Sequence, residues 1–237
     1  MGAKPSHPEL LDWLAQDFID NGWSVKTMIK KMVMTKAYQQ SSKPIDMKAE
    51  KQDPENISLH RMSIRRFTAE QVRDTMLYVS GRMNPKLYGP SVDVHLTKFM
   101  EGRGKSKSGP LDGAGRRSMY LSVKRNFLSP MMLVYDFPQP FNAMGRRTVS
   151  NVPAQALTMM NDPFVHLMAA HWAENLLKSG LKREKLINHI FETAFSHPPN
   201  KAQLEIAEEL LSGGVKKATL TTLCHVVINM KSFIYLN

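Results

Sequence analysis

Hydrophobic and polar residues along most of this chain follow the period of an α-helix. In the first such segment the apolar positions are Leu10, Leu11, Trp13, Leu14 and Phe18. Ser6 with Glu9 three residues later predicts a capping box at the helix start. Asn21-Gly22 predicts a left-handed turn at its end.

A second helix is predicted to follow directly, capped by Ser24. Its apolar positions are Val25, Met28, Ile29, Met32, Val33 and Tyr38. Its solvent side is predicted to present Lys26, Lys30, Lys31 and Lys36. Because a tight glycine turn joins the two helices, we expect an αα-hairpin.

The same signals predict helices in much of the remaining chain. Thr68 and Gln71 form a capping box for a helix that ends before Gly81. Ser129-Pro130 begins a short helix. The last third is helical throughout, with helices that start at Pro153 and Asp162-Pro163 and then cover residues 182–195, 201–211 and 218–229.

Two short segments show the alternation of a β-strand instead, one at Val92, Val94 and Leu96 and the other within residues 116–125. Residues 41–58 are polar and interrupted by prolines, and residues 101–115 are rich in Gly, Ser and Lys. Both compositions predict exposed, mobile loops. The second loop is either a linker or a long loop inside one domain.

These patterns predict a mainly α protein, an irregular helical domain built from helical hairpins with one or two short strands in the central stretch. A chain of 237 residues can bury a substantial core, and we expect a single domain over residues 1–237. Methionines at apolar helix positions are expected to fill that core, namely Met28, Met32, Met76, Met160 and Met168.

The composition, with 42% hydrophobic and 22% charged residues, is that of an ordinary globular protein. Its apolar runs fall short of the roughly 20 residues that span a bilayer, so no transmembrane segment is expected. The first residues lack the apolar region of a secretory signal peptide, so the chain on its own would stay in the cytoplasm. The single Cys224 excludes an internal disulfide.

A basic central stretch is the first candidate site. The net charge of +11 favours polyanionic partners, and residues 102–125 contain seven cations and one anion. Paired arginines match phosphate, sulfate or carboxylate groups with two hydrogen bonds each. The candidate ligand-binding residues are Arg116, Arg117, Tyr120, Lys124, Arg125, Arg146 and Arg147. The alternative is that the arginines pair with carboxylates and lock an irregular core.

Polar residues at predicted element ends form a second candidate set, Asp136, Gln155 and Asn161. Asp136 is the one carboxylate between residues 116 and 161, so a pair of catalytic carboxylates is not visible there. The alternative for these residues is turn formation and helix capping. His166 and His171 lie about 140° apart on one predicted helix and cannot chelate a metal together. We therefore expect neither a metal site nor a bound cofactor, and the catalytic residues stay unknown.

Five motifs occur in the order in which one family has them. They are PSHPELLDWLA, RRFTAEQVRDTMLYVSG, RRSMYLSVKRN, the YDFPQP run and RRTVSNVPAQALTMMNDPFV. The chain resembles the planctomycete-specific PSD-one domain, a domain of unknown function numbered 1553, and the likeness covers nearly its whole length. Members of that family are typically large exported bacterial proteins without an established activity. The resemblance implies that this chain is the C-terminal portion of a longer domain.

Three functional hypotheses follow. The first is an accessory or binding module of an exported system, which engages an acidic glycan or an upstream partner domain through its basic face. The second is part of a polysaccharide-acting enzyme completed by upstream sequence. The third is a nucleic-acid binder, which charge alone supports and no recognised motif accompanies. We also expect the apolar surface of the first hairpin to recruit a partner, giving an oligomer.

Overall fold

The computed structural model describes residues 4–105, 107–141, 143–145 and 147–236. Helices occupy about half of the chain, which confirms the mainly α prediction. The α-helices are α1 (Pro8–Asp20), α2 (Val25–Val33), α3 (Met47–Gln52), α4 (Ala69–Val79), α5 (Pro130–Val134), α6 (Pro153–Asn161), α7 (Pro163–Lys178), α8 (Arg183–Phe195), α9 (Lys201–Leu210), α10 (Lys217–Asn229) and α11 (Lys231–Ile234). Two 3-10 turns, η1 (Gly113–Gly115) and η2 (Ser118–Tyr120), and two paired strands, β1 (Arg65–Arg66) and β2 (Tyr235–Leu236), complete the elements.

The chain divides into two compact units. Unit 1 is formed by Met1–Arg65 with Tyr235–Asn237, and unit 2 by Arg66–Ile234. Helices α1 to α3 belong to unit 1, and helices α4 to α11 belong to unit 2. The expectation of a single domain over residues 1–237 stays a prediction.

The hydrophobic core of unit 2 is built by its helices. Helix α10 packs against α7, and α8 and α6 also contact α10. Fully buried side chains from these helices and α4 include Met76, Leu77, Met168, Ile187, Ile190, Leu220 and Leu223. The start of α7 is fixed by Asp162, whose Oδ1 accepts a hydrogen bond of 2.8 Å from the Phe164 amide. The predicted cap at this position is therefore confirmed.

Unit 1 contains the predicted αα-hairpin, formed by α1 and α2. The Ser24 hydroxyl caps α2 by accepting a hydrogen bond from the Thr27 amide, as predicted. The predicted capping box at Ser6 and Glu9 is wrong, because α1 starts at Pro8 and Ser6 precedes the N-cap residue His7. From that position Ser6 bonds the His7 ring instead of the first-turn amides.

The predicted strand within residues 116–125 does not form. The Tyr120 amide donates to the Arg117 carbonyl at 2.9 Å, so this backbone turns into η2. The alternating pattern of the first segment also yields only an isolated parallel bridge, between Val92 and Leu121. Among the described residues, paired strands occur at β1 and β2, outside the central stretch.

The predicted loop at residues 41–58 contains a short helix, α3. Its sequence, MKAEKQ, consists of good helix formers, and the Asp46 carboxylate caps it by accepting from the Lys48 amide at 2.8 Å. The second predicted loop, residues 101–115, ends in η1, and Ser106 within it lies outside the described residues.

Methionine positions were predicted with mixed success. Met76 and Met168 are fully buried, as expected for core residues, and Met28 is half-buried. Met32 and Met160 are exposed, so their assignment to the core is wrong. None of the described helices is both long enough and apolar enough to cross a membrane.

Candidate functional site

A groove in unit 2 lies beside α4 and has a volume of about 540 Å³. A capping box fixes the start of this helix, since the Thr68 hydroxyl accepts from the Gln71 amide and the Gln71 side chain accepts from the Thr68 amide. Glu70, Asp74 and Tyr78 follow at intervals of four residues and therefore share one face of α4. All three side chains line the groove.

The opposite wall is the segment around η2, which contributes Arg117, Ser118, Met119, Leu121 and Val123. It is held against α4 by a pair of hydrogen bonds. Both the amide and the hydroxyl of Ser118 donate to Asp74 Oδ1, at 2.7 Å each. The apolar side chains of Phe67, Met83 and Phe137 complete the lining. The groove thus joins a charged helix face to an apolar surface.

Each groove carboxylate faces an arginine. Arg147 donates two hydrogen bonds to Glu70, of 2.8 and 2.9 Å, in a bidentate pair. Arg117 Nε lies 3.8 Å from Asp74 Oδ2. The side chains of Arg117 and Arg147 keep 49% and 47% of their surface exposed, so both guanidinium groups can still meet a ligand.

The Glu70–Arg147 pair determines the charge state of Glu70. Partial burial raises the pKa of the Glu70 carboxyl, but the hydrogen bonds and charge of Arg147 and further hydrogen bonds at the start of α4 together outweigh that effect and leave the pKa below its ordinary value. The hydrogen bonds with Glu70 raise the pKa of Arg147 in turn. Glu70 is therefore ionised at neutral pH and cannot serve there as a proton donor.

A buried arginine supports the wall of the groove from behind. Arg73, on the core side of α4, donates to the carbonyls of Arg116 and Asp112 at 2.9 and 2.7 Å and to the Ser118 hydroxyl at 3.1 Å. Burial lowers the pKa of Arg73, while Asp74 and Asp112 act in the opposite direction. This side chain ties residues 112–118 to α4 and so fixes the geometry of the groove.

Two predicted ligand residues, Arg116 and Tyr120, pack against each other. Arg116 is buried, with its guanidinium 4.1 Å from the centre of the Tyr120 ring, and its Nη2 donates to the Tyr88 carbonyl at 2.8 Å. The Tyr120 hydroxyl accepts from the Tyr88 amide at 2.9 Å. Both side chains thus hold the 88–120 region together, and neither lines the groove beside α4.

The other predicted cations separate from one another. Lys124 forms an ion pair of 2.8 Å with Asp93, and the Arg125 guanidinium lies over the Phe141 ring at 5.3 Å. Arg146 lies outside the described residues. Of the predicted basic residues, the structure therefore brings Arg117 and Arg147 to the same helix, α4.

The predicted polar set also divides. The Asp136 carboxylate accepts from the amide and hydroxyl of Ser150 and from Arg66, the last at 2.6 Å. Gln155 is buried and donates to the Val134 and Ser150 carbonyls at 3.0 and 3.2 Å, so it joins the same network. Asn161 is exposed and donates to the Leu157 carbonyl of its own helix.

The sequence profile of a family described as PSD1, protein of unknown function (DUF1553), matches residues 1–211. The chain belongs to the PSD1 family. This finding confirms the resemblance drawn from the sequence motifs, and the matched range includes the whole groove. No curated protein and no solved structure was found to match the chain.

Sequence reasoning missed the acidic half of this PSD1 groove, Glu70 and Asp74, together with Tyr78. A signal was present, because these residues sit on the polar side of a helix whose cap and apolar face were both recognised. Helix α4 lies before the basic central stretch of residues 116–161, so the sequence gives no reason to join its carboxylates to the arginines of that stretch. Among the residues that the structure describes, no group of three or more His, Cys, Asp or Glu side chains is arranged to hold a metal ion.

Proposed function

We propose that this domain is a non-catalytic binding module whose α4 groove holds a segment of an acidic polysaccharide. The observation behind the proposal is an open groove lined by two carboxylates and the half-exposed Arg117, with a second half-exposed arginine, Arg147, bound to one of those carboxylates. A sugar chain offers hydroxyl groups that both donate and accept hydrogen bonds, and its acid groups match guanidinium forks. The groove supplies acceptors from Glu70 and Asp74 and donors from Arg117, and Arg147 beside Glu70 adds further donors.

The apolar part of the groove favours a sugar over a small anion. Tyr78 is 68% exposed on α4, and Met119 is exposed on the opposite wall. An exposed aromatic ring offers a flat apolar face to the C–H groups of a sugar ring while its hydroxyl stays in water. A site for phosphate or sulfate alone needs no such surface.

The charge state of Glu70 favours binding over hydrolysis at this groove. Glycoside hydrolysis normally requires one carboxyl that is protonated at working pH and a second that is ionised. The lowered pKa of Glu70 and its bidentate partner Arg147 favour the ionised form. Catalysis by the chain together with another protein is a separate hypothesis, which this groove does not favour.

Binding to immobilised dextran sulfate tests the proposal. We expect Arg117→Ser with Arg147→Ser to lose most of its retention, and rising salt to weaken retention of the wild type. The matched control replaces Arg183 and Lys185, two exposed cations of α8, with Ser. It removes the same formal charge and should keep most of the retention. Circular dichroism should show that both variants stay folded.

A variant with the opposite expected effect sharpens the test. Glu70→Gln removes the carboxylate that occupies Arg147, so the guanidinium becomes available to the ligand and retention should increase. Equal losses in the groove variant and the α8 control would show that net charge alone drives binding. Equal retention on neutral dextran, or tighter binding of single-stranded RNA than of the polysaccharide, would also contradict the proposal.

A further inference from the structure

The α1–α2 hairpin of unit 1 exposes an unusual amount of apolar surface. No residue of α1, α2 or α3 is buried. Within the described residues 4–65, Asn56 is the single buried side chain, and it is polar. Helices as short as these are marginal in water unless an apolar face is covered. Something other than the hairpin's own residues must therefore stabilise it.

The exposed apolar residues recur at helical spacing. On α1, Leu11 and Ile19 lie eight residues apart with Ala15 between them, so they form a stripe along the helix. On α2, Val25, Ile29 and Met32 form a second stripe, and all three are exposed. Such paired stripes are typical of helices that pack against other helices.

The two helices have opposite charge. Helix α1 has the acidic residues Glu9, Asp12, Asp17 and Asp20 and no basic residue. Helix α2 has the basic residues Lys26, Lys30 and Lys31 and no acidic residue. One pair, Lys31 with Asp17, is used inside the hairpin at 2.5 Å. Among the described residues, the other five charged side chains of the two helices form no ion pair.

We propose that the α1–α2 hairpin is a self-association surface, covered by the same hairpin of a second copy of this chain. In a two-fold symmetric pair, the acidic α1 of each copy lies against the basic α2 of the other, and both contacts are favourable. The apolar stripes then bury each other in a four-helix arrangement. A bilayer is a poorer occupant, because the negative charge of α1 is repelled by anionic lipid surfaces.

Charge reversal tests this pairing directly with the full chain. One variant, Glu9→Lys with Asp12→Lys and Asp20→Lys, makes both helices basic, and a second, Lys26→Glu with Lys30→Glu, makes both acidic. We expect each variant alone to dimerise about tenfold more weakly or worse, because both contacts become repulsive. A mixture of the two variants should form a heterodimer, since each contact is again between opposite charges. Sedimentation velocity with one labelled component measures the dimerisation of the first variant, of the second variant and of their mixture.

A charge-matched control for the α1 variant is Glu205→Lys with Glu209→Lys on the exposed side of α9 and Glu192→Lys on α8. It should dimerise like the wild type. Trp13→Glu on α1 should weaken dimerisation while α1 stays acidic and α2 stays basic. A wild type that stays monomeric at the highest soluble concentration would overturn the proposal. So would charge variants that dimerise undiminished, a mixture that fails to restore the dimer, or a monomer that binds lipid vesicles through this hairpin.

Discussion

Unit 1 and unit 2 both consist of amphipathic helices, yet their apolar residues have different fates. In unit 2 the apolar stripes of α4, α7, α8 and α10 meet in one buried core. In unit 1 the stripes of α1 and α2 stay exposed, and the described part of this unit buries no apolar side chain. Periodicity therefore predicts that a helix forms, but it does not predict whether its partner lies within the same chain.

The two units also differ in how their irregular segments are fixed. In unit 2, Arg73 and Asp136 each organise several hydrogen bonds between segments far apart in sequence. In unit 1, the pair Arg61–Glu50 and the Asp53 side chain connect residues within about one loop. A buried hydrogen-bond network stabilises the folded chain more than an exposed one. When a buried partner is removed, water cannot easily take its place. We expect unit 2 to determine the stability of the chain.

The largest effect should come from the same substitution made once in each unit. Ile190→Ala in α8 removes a side chain with 0% exposure and should cost about 2–5 kcal/mol of unfolding free energy. Ile29→Ala in α2 truncates a side chain that is 54% exposed and should stay within about 0.5 kcal/mol. Urea unfolding followed by circular dichroism, at protein concentrations low enough to keep the chain monomeric, measures both. Similar losses in the two variants would show that α2 has a buried partner within the chain.

Local signals in the sequence predicted the helices of both units well. The caps at Ser24, Thr68 and Asp162 all form, because a cap depends on side chains within three residues of the helix start. The strand expected within residues 116–125 failed for the opposite reason. There the backbone is fixed by Asp74, more than forty residues away in sequence. The local alternation of apolar and polar residues cannot predict that contact.

Sequence patterns pointed to the arginines of the candidate site but not to its carboxylates. Charge and the arginine pairs pointed to Arg117 and Arg147, which do reach α4. The same signals pointed to Arg116, which is buried over Tyr120. Arg116 and Arg117 are adjacent and chemically identical, so composition cannot distinguish them. The backbone turn at this point directs Arg116 inward and Arg117 outward. Their partners Glu70 and Asp74 lie on a distant helix, so pairing could not be deduced from spacing.

A smaller effect is expected at Asp136, which tests the polar network of unit 2. Asp136→Asn keeps the side-chain shape but leaves Arg66, only 3% exposed, without its anionic partner. Because Asp136 itself is 18% exposed, we expect a loss of roughly 2–3 kcal/mol, below that of a fully buried pair. Asparagine tolerates the positive φ of 60° at this position, so backbone strain adds little. Ser150→Ala, which removes the hydroxyl that donates to the Asp136 carboxylate and keeps the ion pair, should cost about 1 kcal/mol.

The pH dependence of this loss has a definite sign. Burial raises the pKa of Asp136, but hydrogen bonds from Ser150 and Arg66 outweigh it and leave the pKa below its ordinary value. A carboxyl whose pKa is lowered by folding stabilises the protein above its unfolded pKa and loses that contribution as pH falls through its folded pKa. The difference between the wild type and Asp136→Asn in urea unfolding should therefore stay constant from about pH 7 to about pH 5 and shrink as the pH falls further, through about 4 and below. A difference that stays constant down to low pH would assign the loss to the changed hydrogen bonds instead of the lost charge.

The smallest effect is expected at the ion pair of unit 1. Arg61 donates to Glu50 at 2.7 and 3.1 Å, and these hydrogen bonds lower the pKa of Glu50 although partial burial opposes the shift. The geometry is as good as that of the Glu70–Arg147 pair, and the Arg61 and Glu50 side chains keep 17% and 26% of their surface exposed, so water and salt screen the attraction. Glu50→Gln should therefore speed amide hydrogen exchange in α3 and the residues up to Arg61 only slightly, and about 0.5 M salt should remove most of the difference. Hydrogen exchange in α7 and α10 should not change, because their amides exchange only when the core of unit 2 unfolds. If Glu50→Gln instead lowered global stability as much as Asp136→Asn, unit 1 would depend on its own polar contacts, and the contrast between the two units would fail.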